Sequence, residues 1–66
     1  MRYFTHTEKL RQRIAREHIA AQEWWDYAAE LTAKGLDTPA EKIAGLAQAH
    51  DDEAVFLRNR LRELVS

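Results

Sequence analysis

The chain has 66 residues, 45% hydrophobic and 32% charged, with no cysteine and a net charge of −1 at pH 7. That composition excludes more than one domain, a disulfide framework, thiolate metal sites and intrinsic disorder, and it gives no overall attraction to nucleic acid. A chain this short buries only about 60% of its unfolded surface and draws about 3–5 kcal/mol from one small core, so self-association or a host protein is the expected remedy.

Residues 1–6 read as a short lead-in. They lack the apolar stretch of a signal peptide, and no apolar run approaches the roughly 18–20 residues of a membrane span, so a cytoplasmic protein is expected. Thr5 or Thr7 is the expected N-cap of the first helix, and Thr5-x-x-Glu8 fits a capping box.

The first helix is predicted over residues 7–34, which contain no Gly or Pro. Its apolar seam is Leu10, Ile14, Glu17, Ala21, Trp24, Ala28 and Leu31, with steps alternating between four and three residues. Glu17 is its one charged break. Gly35 is the expected stop, because a left-handed residue after the helix end favours glycine.

The turn is predicted over residues 35–38, with Thr38 as the next N-cap and Pro39 in the first helical position. So short a connection makes the helices antiparallel. The second helix is predicted over residues 39–65. Its seam, Ala40, Ile43, Ala47, His50, Ala54, Leu57, Leu61 and Leu64, keeps heptad steps with one polar member, His50. A restart of the helix at Asp51 is the alternative, but the heptad phase runs through that point unbroken.

The fold class is therefore all-α, an antiparallel helical hairpin. Folding it about Leu36–Thr38 sets Ala21 against Ala54, Trp24 against His50, Glu17 against Leu57 and Leu10 against Leu64. Glu17 is expected to form an ion pair with His18 on one flank. The seams leave Ile19, Trp25, Tyr27, Leu46, Val55 and Phe56 over. That is more apolar surface than a free two-helix monomer carries, so these six are the expected protein interface of a homodimeric four-helix bundle.

Charge segregates along the hairpin. Residues 1–17 and 57–66, at the open end, carry net +5, and residues 18–56 carry net −6. Arg11, Arg13, Arg16, Arg58 and Arg62 are the candidate phosphate contacts, since a guanidinium pairs with phosphate in a bidentate fork. Arg13, Arg16, Arg58 and Arg62 are expected to lie within reach of one anionic surface. The same dipole would instead orient antiparallel hairpins in a dimer.

Chemistry has little to work with. Glu23, Asp26 and Glu30 stand one turn apart, and the hairpin is expected to bring Asp51 or Asp52 near Glu23, where clustered carboxylates hold Mg²⁺. The Glu23-x-x-Asp26 spacing resembles half of the motif of the all-α nucleotide pyrophosphatases; its second pair, on a neighbouring helix, is missing. His6, His18 and His50 do not share helical spacing for zinc. The only serine is Ser66, and Gly35 and Gly45 form no phosphate loop. No catalytic residue, metal or cofactor is expected.

In length and architecture the chain resembles the plasmid-encoded RNA-binding regulators of the Rop type, hairpins that dimerise into four-helix bundles. The likeness is one of architecture and not of an aligned motif, so it implies the bundle and no function. Small cysteine-free hairpins of this kind also occur among phage and mobile-element regulators. The expected function is a small non-enzymatic regulator or adaptor acting through helix-mediated protein contact. A nucleic-acid-binding regulator is the alternative, and a metal-dependent hydrolase on the acidic cluster is the remote one.

Overall fold

The computed structural model describes residues 5–65. They form two helices, α1 (His6–Ala33) and α2 (Asp37–Val65), of 28 and 29 residues. Lys34, Gly35 and Leu36 join them.

The ends of α1 follow from local chemistry. Thr5 is extended (φ −68°, ψ 166°), and its Oγ1 accepts the Glu8 backbone N–H at 3.2 Å. A cap of this kind is worth about 1 kcal/mol. At the other end Gly35 takes φ 78°. The Leu36 N–H donates to the Leu31 carbonyl at 2.9 Å, and the Gly35 N–H donates to Thr32 at 3.0 Å. This pair of bonds is a Schellman closure, which satisfies carbonyls that the helix end would leave open.

The closure moves the start of α2. The Ala40 N–H donates to the Leu36 carbonyl at 3.0 Å, so Leu36 takes the cap position and the helix begins two residues ahead of Pro39. Thr38 therefore lies inside the first turn and not at the cap. Pro39 is tolerated there because its missing N–H falls among the four that have no intrahelical partner. Asp37 brings a carboxylate to the positive end of the helix dipole. Beyond this point α2 runs unbroken past Asp51 to Val65, with no restart.

The buried core is Leu10, Ala21, Ala28, Leu31, Ala40, Ala47, Ala54 and Leu57. All eight belong to the two seams, so the heptad phase is the packing phase. Five of the eight are alanine, which lets helix axes approach the short end of the usual range of about 8–10 Å but buries little area. Ile14, Trp24, Ile43, His50 and Leu61 are half-buried. Leu64 departs from expectation: it is 50% exposed. The bonds Arg13–Glu53, Glu17–His50 and Trp25–Asp51 tie the two helices together.

Two helices make a single layer, and the smallest extent of the Cα trace is 11 Å. Both broad faces of that layer meet solvent. The accessible surface is 5197 Å², against about 4,300 Å² expected of a compact monomer of this mass.

Candidate interaction surfaces

Among the described residues, three side-chain bonds that cross between the helices identify the sides of the hairpin. In the seam, Glu17 Oε2 meets His50 Nδ1 at 2.5 Å, with 21% and 35% of the side chains exposed. A carboxylate only accepts, so Nδ1 carries the hydrogen. The two polar members of the seams thus satisfy each other. Glu17 does not pair with His18, and it is not simply stacked on Leu57. Its carboxylate turns across the interface because His50 offers a donor in a half-buried place, where a charged oxygen gains more from a partner than on the open flank.

On one flank the Trp25 indole N–H donates to Asp51 Oδ2 at 2.7 Å. Residues seven apart continue that flank, so Arg11 and His18 on α1 and Ala44 and Arg58 on α2 lie along it. Near the turn it opens into a groove of about 510 Å³, lined by Trp25, Ala28, Ala29, Ala40 and Ala44 with Thr32, Asp37 and Glu41. Small side chains leave that space, and nothing in the heptad pattern announces it.

On the other flank Arg13 Nη2 donates to Glu53 Oε1 at 3.3 Å. The same spacing places Ala20 and Tyr27 of α1 and Leu46 of α2 there, with Arg16, Ala49 and Phe56 one position further out. The Arg13 and Glu53 side chains are 55% and 39% exposed, so the pair contributes about 0–1 kcal/mol.

All six residues expected at an interface are exposed: Ile19 59%, Trp25 36%, Tyr27 45%, Leu46 47%, Val55 52% and Phe56 57%. They do not form one patch. Trp25 and Val55 belong to the groove flank, while Tyr27, Leu46 and Phe56 belong to the opposite flank. Ile19 is on the back of α1.

The five arginines divide in the same way. Arg11, Arg58 and Arg62 follow the groove flank, and Arg13 and Arg16 the other. The expectation that Arg13, Arg16, Arg58 and Arg62 meet one anionic surface is therefore not realised. Arg13 is also engaged with Glu53, whereas Arg11, Arg16, Arg58 and Arg62 have no carboxylate partner among the described residues. At the open end a hollow of about 310 Å³ is lined by His6, Lys9, Arg13 and Arg16 with Leu10 and Gln12.

The acidic residues diverge. Asp51 turns to Trp25, Asp26 accepts from Gln22 at 2.9 Å and Asp52 from Gln48 at 2.9 Å. Glu23 lies on the flank opposite Asp51, so the expected approach of the two does not occur. Among the described residues no three His, Asp or Glu side chains converge as metal ligands. Comparison with protein-family models, with curated proteins and with solved structures finds no match to this chain.

Proposed function

We propose that the chain is a small non-enzymatic regulator or adaptor that acts through helix-mediated protein contact, with a homodimeric four-helix bundle as its working form. One observation carries this: Trp25, Tyr27, Leu46, Val55 and Phe56 are exposed on a hairpin whose own core is mostly alanine. Burying one such large side chain is worth about 1.5–3 kcal/mol, comparable with the about 3–5 kcal/mol a core of this size supplies. The surface in excess of a compact monomer is also close to the about 800 Å² that each partner buries in a standard interface. A cytoplasmic setting is part of the proposal; no helix among the described residues is long and apolar enough to cross a membrane.

Light scattering from micromolar to millimolar protein is the test. A dimer has twice the 7.7 kDa chain mass, with a melting temperature that rises with concentration. A chain mass throughout, with a melting temperature independent of concentration, refutes the dimer.

The basic hollow at the open end supports a second reading, a contact with phosphate backbones. Removing one arginine–phosphate pair lowers the salt slope of binding by about one unit. The test is a salt titration against random duplex DNA and structured RNA, comparing wild type with the Lys9, Arg13 and Arg16 triple alanine variant, which removes the cations of that hollow. We expect weak binding by both, because the acidic half repels the phosphates that the basic end attracts. Tight, salt-steep binding that disappears in the variant puts nucleic acid first.

A further inference from the structure

The flank that carries Tyr27, Leu46 and Phe56 has a symmetry that the other flank lacks. The middle of α1 (His6–Ala33) falls between Ile19 and Ala20, and the middle of α2 (Asp37–Val65) at Asp51. About those middles, Lys9 mirrors Glu30 and Arg16 mirrors Glu23 along α1. Along α2, Leu46 mirrors Phe56. Lys9, Arg16, Glu23 and Glu30 stand seven apart in one row, so they share a face, and their charges run plus, plus, minus, minus.

We infer that this flank is the self-association face, and that its occupant is a second copy of the chain, laid antiparallel about a two-fold axis perpendicular to the helices. This rests on the dimer reading above and names its face and register. Under that axis α1 lies over the partner's α1 and α2 over the partner's α2. Lys9 then faces Glu30, Arg16 faces Glu23, and Leu46 faces Phe56, each contact made twice as an isologous interface requires. Ala20 lies at the axis, Tyr27 stands about two turns from it on the same face, and the small Ala49 leaves room beside Phe56. A two-fold axis along the helices instead sets both open ends side by side, where their like charges repel. The antiparallel register has one unfavourable pair, Arg60 facing Lys42 at the rim. The groove beside Trp25 stays outside this interface and open in the dimer.

Charge exchange tests the register. Lys9→Glu with Arg16→Glu makes one variant, and Glu23→Lys with Glu30→Lys the other. Each alone opposes four like pairs and should weaken self-association on the order of tenfold or more. Mixed together they restore all four pairs, and the mixture should associate within about threefold of wild type. Net charge alone would also draw the two variants together. A control therefore mixes the second variant with Arg11→Glu and Arg58→Glu, the same charge change on the groove flank; this control variant should self-associate as wild type does, and its heterodimer with the second variant, which keeps two like pairs, should stay weaker than the restored one. Arg60→Glu should tighten the dimer, since it turns the one repulsive pair into an attractive one. Circular dichroism confirms that each variant keeps its helices.

Equal rescue by the control, no weakening in either variant, or a weaker dimer from Arg60→Glu overturns this face and register while the dimer reading stands. A wild-type monomer at every concentration overturns both.

Discussion

Leu57→Ala measures how far the seam holds the hairpin together. Leu57 is 3% exposed, the most buried large side chain in the core. The change removes three carbons from a buried site, a transfer loss of about 2.4 kcal/mol at roughly 0.8 kcal/mol per group. The cavity left behind adds to this, and measured Leu→Ala losses run to about 5 kcal/mol. The helices here form one open layer with small alanines at many facing positions, so they can close on the gap. That places the expected loss at about 2.5–3.5 kcal/mol. For a core worth about 3–5 kcal/mol this is most of the stability. The assay is urea unfolding followed by far-ultraviolet circular dichroism at one fixed protein concentration, with Arg58→Ala beside it. Arg58 is exposed, and its loss should change stability by under about 0.5 kcal/mol. A Leu57→Ala loss below about 1 kcal/mol, or one equal to that of Arg58→Ala, refutes the assignment of Leu57 to a packed seam.

The two glycines should respond with opposite signs. A Cβ on Gly45 meets nothing within 4 Å, so Gly45→Ala should raise stability by about 1 kcal/mol in thermal melts. Gly35 has φ 78°, so Gly35→Ala should lower stability by about 1–2 kcal/mol despite equally open space. A double-mutant cycle of Glu17→Ala and His50→Ala should give a coupling energy of about 0.5–1.5 kcal/mol, whereas a cycle of Glu17→Ala with His18→Ala should give about zero. Trp25→Phe keeps an aromatic ring but loses the indole N–H to Asp51, so it should cost about 0.5–1.5 kcal/mol, and Asp51→Ala in that background should cost little more.

The ends of α1 and the antiparallel path were legible in the chain because they depend on groups within a few residues of one another. Thr5 caps a helix whose third residue donates to it, and Gly35 alone in its neighbourhood takes a left-handed φ without penalty. The heptad steps also named all eight buried residues, since a side chain's angle around a helix is set by its number alone. The sequence likewise marked Ile19, Trp25, Tyr27, Leu46, Val55 and Phe56 as left outside, though not Leu36, Leu64 or Val65, which are exposed too.

Tertiary structure decided the partners. Glu17 sits beside His18 in the chain yet bonds His50, because the register brings that ring to it in a half-buried seam. Arg13 is drawn to Glu53, and Asp51 to Trp25, which removes both from the charge clusters that their numbers suggest. Leu64 obeys the heptad and is still exposed, so position on the seam does not by itself bring burial. The capping of α2 by Leu36 was hidden for a related reason: the Schellman bonds place that carbonyl in the cap position whatever its side chain. Angle around one helix is a local property. Level and reach between two helices are not, and they depend on offsets of less than a turn that no single helix encodes.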